Sequence, residues 1–259
     1  MTAFEALAIL AAGFGAGMIN TIVGSGTLLT FPTLLWAGYA PVAANVSNTL
    51  GLVAGGVSGS WGYRHELVGA SRTLKRMVPM SVVGAAIGAI LVIVLPPGVF
   101  SAAVPALIGI GAFLVIAGPR IQAAVAARRP DPIAASSRTA GPGLALLIGV
   151  LLTGVYGGYF GAAQGVILIG LLSMLTTDSL QRINGYKNIL ATAANLVGAV
   201  TFLIIAPDQV IWSVAGLIAL GSILGGVVGA KVGRRIPPTP LRIVILVVSV
   251  IAIVKFLTQ

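Results

Sequence analysis

The chain has no cysteine, one histidine and five acidic residues in 259, and each shortage removes a class of chemistry. Without cysteine there are no disulfides and no thiolate metal sites, though this says nothing about compartment, since oxidising and reducing settings both permit it. His65, in "WGYRHEL", sits at a membrane boundary and reads as an interfacial residue; alone it cannot serve a buried hydrolytic dyad. The acids Glu5, Glu66, Asp131, Asp178 and Asp208 all fall at the ends of apolar stretches or between them. Asp178 and Asp208 lie at opposite ends of one segment, so an intramembrane enzyme is not expected. "GFGAG" and "GSGT" lack the strand context and the GK[ST] ending of phosphate-binding loops, which leaves no nucleotide cofactor and no ATP-driven module. The start, "MTAFEALAIL", lacks a basic n-region and is expected to be a retained span.

Apolar residues fill the space left by the missing charge. Hydrophobic residues make up 58% of the chain and charged residues 8%. Unalternating apolar runs near 4–22, 77–95, 99–118, 210–230 and 241–257 suit bilayer-crossing helices of about 20 residues, not the period-2 strands of a barrel. The expected fold class is all-α, polytopic and membrane-embedded, placed in the inner (plasma) membrane. A net charge of +10 would suggest nucleic acid in a soluble protein. Here it concentrates in short connections and reads as topology: Arg64, Arg72, Lys75 and Arg76; Arg120, Arg128, Arg129 and Arg138; Lys231, Arg234, Arg235 and Arg242. The positive-inside rule makes these connections cytoplasmic, whereas "YAPV" (39–42), "LPPG" (95–98) and "APDQ" (206–209) carry no basic residue.

The chain divides into an N-terminal repeat (1–119), a Pro-, Ser- and Ala-rich cytoplasmic linker (120–141) and a C-terminal repeat (142–259). Each repeat opens with a Gly-punctuated apolar pair and continues with a polar-headed segment, "AANVSNTLGLVAG" or "QRINGYKNILATAANLVGA", before two more spans. Asn45 aligns with Asn184, Asn48 with Lys187 and Thr49 with Asn188. Corresponding connections carry opposite charge character, 64–76 against 206–209 and 95–98 against 231–240, which predicts inverted-topology repeats. That needs an odd number of crossings per half: five segments each, or three crossings plus a re-entrant hairpin. After Gly24-Ser25-Gly26, and again over 164–176, only about a dozen apolar residues remain, half a crossing at about 1.5 Å per residue. Paired half-helices at matching positions point to a transporter's binding site, against the plainer reading of glycine-mediated packing with a kink.

On a helix starting near Ser179, Asn184, Lys187, Asn188 and Asn195 fall on one face. Lys187 then lies about 12 Å from the helix start, where a lysine costs about 2.5–3.5 kcal/mol unless water or a counter-charge meets it. No acid is placed to do so, and a small anionic substrate is the expected partner. Asn45, Asn48 and Thr49 offer neutral groups at the matching positions. The competing reading has the asparagines bonding between helices and Lys187 reaching toward the cytoplasmic surface. Arg182 reads as an anchor or gate. Asn20, Ser25 and Gln164, at the hairpin breaks, either line the site or cap helix ends. The ridges Gly84/Gly88 and Gly221/Gly225/Gly229 read as packing surfaces.

The stretches "NTIVGSGTLLTFPTLLWAGYAPVAANVSNTLGLVAGGVSGSWGYR" and "GGYFGAAQGVILIGLL…NGYKNILATAANLVGAVTF" resemble the two repeats of the sulfite exporter TauE/SafE family. The resemblance implies a carrier of sulfur-containing anions such as sulfite and organosulfonates. It also implies that Asn45, Asn48, Thr49, Asn184, Lys187 and Asn188 occupy its repeat-motif positions. The expected function is a secondary carrier, an exporter working by alternating access with the anion near the bilayer midplane; an anion channel or a carrier of small carboxylates is the alternative. Expected partners are the anion, the bilayer and a coupling ion, proton or sodium, with no nucleic acid and no cofactor; a homo-oligomer is left open.

Overall fold

The structure, a computed structural model, describes residues 1–127, 142–233 and 239–257. Among these are ten α-helices, two short 3-10 turns and no strand: α1 (Ala3–Ile22), α2 (Thr27–Trp36), α3 (Pro41–Gly62), α4 (Ser71–Val94), α5 (Pro97–Ala127), α6 (Leu144–Tyr159), α7 (Gln164–Leu175), α8 (Leu180–Ile205), α9 (Trp212–Val232) and α10 (Thr239–Leu257). Five of them, α1, α4, α5, α8 and α9, are long and apolar enough to cross a membrane. The outer surface is correspondingly oily, with Phe113, Leu144, Leu152, Leu220 and Val250 all exposed. The all-helical membrane fold expected from composition is the fold observed. Helix α5 runs on to Ala127, past the expected linker boundary at 120, and 128–141, with Arg128, Arg129 and Arg138, lie outside the described residues, as do Arg234 and Arg235.

Local chemistry sets the helix ends. Thr2 and Glu5 form a reciprocal capping box at the start of α1, which satisfies two of the amides a helix start leaves free. Pro41 occupies the first turn of α3, where its missing N–H costs nothing. The Ser179 hydroxyl accepts from the Arg182 amide and starts α8 where the polar stripe requires it. Helices α1 and α6 end in the same way: the amides of Val23 and Gly24 both donate to the Ile19 carbonyl, and those of Phe160 and Gly161 to the Tyr156 carbonyl. Gly24 (φ +87°) and Gly161 (φ +73°) take the left-handed turn that follows, a conformation that disfavours any Cβ. The chain then re-enters a short helix, ten residues in α2 and twelve in α7.

The packing partners recur between halves. Helix α1 packs on α9 as α6 packs on α4; α3 packs on α9 as α8 packs on α4; α2 meets α10 as α7 meets α5. At both main seams glycines face backbone. A Cβ on Gly13 or Gly17 would strike Ile218 or Ser222, and one on Gly221 or Gly225 would strike the Leu10–Phe14 turn of α1 or its continuation. On the other seam Gly84 and Gly88 lie against the backbone of Leu151 to Tyr159, and Gly154 and Gly158 against that of Ser81 and Ala85. Such contacts let helices approach closely where lipid provides no hydrophobic drive for association. Gly88→Ala is therefore expected to destabilise the protein by about 1–3 kcal/mol through overpacking. Gly216→Ala, whose Cβ meets nothing within 4 Å, leaves the thermal midpoint in detergent unchanged, and comparing the two midpoints checks this.

Candidate functional site

The two broken hairpins meet each other. The Gly165 amide, on the first turn of α7, donates to the Gly24 carbonyl at 2.9 Å, and a Cβ on either glycine would collide with the other's backbone. The aliphatic stem of Lys187 lies against both. Ala163, with φ +60°, is the one non-glycine residue among those described in the left-handed region, so the second hairpin holds strain of about 1–2 kcal/mol at this crossing.

Lys187 is fully buried, with 0% exposure. Its Nζ donates to the carbonyls of Asn20 (2.9 Å) and Thr21 (2.8 Å), and the Asn188 amide reaches the Thr21 carbonyl at 3.5 Å. A helix leaves its last four carbonyls without intrahelical donors. At the end of α1, Ile19 is served by the turn and Asn20 and Thr21 by the lysine. The ammonium thus sits at the negative end of the α1 dipole, and no carboxylate bonds it among the described residues. Two of its three donors are used this way.

The first half repeats the device with a neutral group. Asn45, on α3, donates through Nδ2 to the carbonyl of Tyr159, the last residue of α6, at 3.1 Å. Each third helix therefore closes the end of the other half's hairpin. Asn48 accepts from the Thr30 hydroxyl and lies 3.5 Å from that of Thr27, tying α3 to α2. Thr49 bonds back to the Asn45 carbonyl within its own helix.

The sequence candidates thus separate by role. Asn45, Asn48, Lys187 and Asn188 converge on the hairpins. Asn20 contributes its backbone carbonyl, a part that side-chain reasoning could not have assigned. Ser25 and Gln164 are buried at the breaks, and Ser25 Oγ, Gln164 Nε2 and Asn45 Oδ1 have no hydrogen-bond partner among the described residues. Asn195 is half-buried two turns beyond Asn188. Arg182 grips the connection between α3 and α4 through the carbonyls of Glu66 (3.1 Å) and Val68 (2.9 Å), and pairs with Asp178 at 3.4 Å.

The two ends of the crossing differ. On one side a cavity of about 180 Å³ opens beside the end of α1, reached by Val23, Val166, Gln181, Asn184 and Arg242. On the other, where α6 ends and α3 begins, Phe31, Phe100, Tyr159 and Phe160 pack edge to face with centroids 5.0 to 6.5 Å apart. Phe160 precedes Gly161 as Val23 precedes Gly24, so equivalent positions line a cavity in one half and a plug in the other. Sequence reasoning missed Gln181 and Arg242. Arg242 counted as one of the loop cations, although the buried stripe Leu241, Ile245 and Ser249 on α10 runs beside it.

The model of the TauE/SafE sulfite exporter family matches residues 9–256. The chain belongs to that family. Curated relatives with which the TauE/SafE chain aligns end to end are named probable membrane transporter proteins. One, from Haemophilus influenzae, is 27% identical over 95% of this chain and 92% of its own. Another, YfcA of Escherichia coli K12, is 28% identical over 93% and 86%, and ORF9 of a Sinorhizobium species is 28% identical over 99% and 94%. No solved structure gives a significant match. The protein is thus a multi-pass membrane transporter.

Proposed function

We propose that this transporter is a secondary carrier that exports a small sulfur-containing anion, sulfite or an organosulfonate, by alternating access across the inner membrane, with the anion bound near the hairpin crossing. The observation that carries this reading is a buried lysine at the crossing of two broken helices, held by carbonyls instead of a carboxylate. A fixed cation without a fixed counter-charge leaves a positive field that an anion can neutralise.

The cavity and the aromatic plug support alternation between two faces. The cavity lies where α1, α3 and α9 end and α8 begins, at the end of the molecule where Arg64 follows α3, Arg72 starts α4 and Lys231 closes α9, which is the cytoplasmic face under the positive-inside rule. The plug closes the opposite face. Opposed charge of corresponding connections, together with the recurring packing partners, favours halves related by inverted topology, as many secondary transporters are built.

The test is counterflow in proteoliposomes. Internal unlabelled sulfite or methanesulfonate is expected to accelerate uptake of labelled anion, with saturation. Flux that rises linearly with concentration and shows no trans-stimulation makes the protein a channel. Transport of acetate in preference to every sulfur anion would move the substrate to the carboxylates.

A further inference from the structure

The lysine that dominates the sequence uses two of its three donors on helix α1, and a second cation stands open at the cavity. Among the described residues Arg242 is the one charged residue that lines it. Its Nε is buried with no hydrogen-bond partner, and it forms no ion pair among the described residues. Gln181 and Asn184 also line the cavity, each with a buried carbonyl oxygen that lacks a partner among the described residues. They are three residues apart on α8 and therefore share a face. The same face continues one turn further to Lys187, which is again three residues on.

We propose that Arg242, with Gln181 and Asn184, forms an oxyanion-binding site in this cavity, the position at which substrate waits before it moves to the hairpin crossing. The inference rests on the anion-carrier reading above. A guanidinium presents a planar set of donors that suits the oxygens of sulfite, a sulfonate or a carboxylate. The flanking amides can turn either an N–H or a carbonyl toward the ligand, so they accommodate a bare oxyanion, a protonated one, or its retained water. Val23, Val115, Val166 and Ile169 add an apolar stretch of wall. It strengthens a charged contact by excluding water and accepts a short carbon substituent. A volume of about 180 Å³, roughly six waters at about 30 Å³ each, holds a small oxyanion with such a substituent.

A phosphate of an anionic lipid has the same chemistry, so the experiment has two arms. In the first, the full chain is reconstituted in purely zwitterionic lipid, and exchange of methanesulfonate and sulfite is measured for the wild type, Arg242→Gln and Gln181→Leu. Arg242→Gln is expected to raise the KM about tenfold or more, the loss of a charge-assisted contact, without lowering the ligand-free thermal midpoint. Gln181→Leu raises it less. In the second arm, native mass spectrometry counts anionic phospholipid retained by each protein, and no difference is expected. An unchanged KM in Arg242→Gln overturns the site while leaving the carrier reading intact. So does a fall in midpoint with unchanged KM, or loss of retained lipid with unchanged KM. A wild type that exchanges neither anion overturns both.

Discussion

Replacing Lys187 with Met is expected to lower the unfolding midpoint in detergent and to abolish transport together. The substitution preserves the apolar stem that lies against Gly24 and Gly165 but removes the donor from two buried helix-end carbonyls. An acceptor left unpaired costs about 1–3 kcal/mol; Asn20 loses its donor outright and Thr21 keeps only the 3.5 Å contact from Asn188, so the two together cost about 1–6. At about 2–4 °C per kcal/mol for a chain of this size, the midpoint falls by roughly 2–24 °C. A lysine kept only to hold substrate would behave in the opposite way. Burying it is expensive, and Met would then raise the midpoint while transport was lost. Differential scanning fluorimetry on the two purified proteins, with no anion present, separates these outcomes. A higher midpoint for Lys187→Met would show that the carbonyl contacts do not hold α1.

The second large effect concerns the crossing itself. Gly24→Ala puts a Cβ on a residue at φ +87° and drives it into Gly165. The backbone conformation alone costs about 1–2 kcal/mol, and the collision adds a further 1–3 or so. Gly165→Ala keeps an ordinary helical conformation and suffers only the collision. The first is expected to be worse than the second, and both should show reduced yield of monodisperse protein and little anion exchange. Gly170→Ala, on the same short helix but with nothing within 4 Å of its Cβ, should match the wild type in both measurements. Equal behaviour of Gly165→Ala and Gly170→Ala would mean that the hairpins separate in the working protein.

The letters of the chain disclosed the helices, the breaks and the polar stripe, because each has a local signature. Gly24 and Gly161 mark the breaks, Ser179 announces a helix start, and apolar run length separates α2 and α7 from the full spans. The partner of Lys187 had no such signature. Asn20 and Thr21 bind it through carbonyls, which every residue has, and only the third dimension brings the end of α1 to the eighth residue of α8. Arg242 was hidden for another reason. A cation just after a proline-rich connection satisfies the topology rule completely, so nothing in its neighbourhood demands a second role. The aromatic plug draws on residues as far apart as Phe31 and Phe160 and has no periodic trace in the sequence.

On the alternating-access reading, the hydrogen bond from the Gly165 amide to the Gly24 carbonyl is the fulcrum of the molecule. Two rigid arms that touch through bare backbone can tilt about that point with little displacement there and growing displacement toward their tips. A cross-link joining Phe31 to Phe100 should therefore freeze turnover.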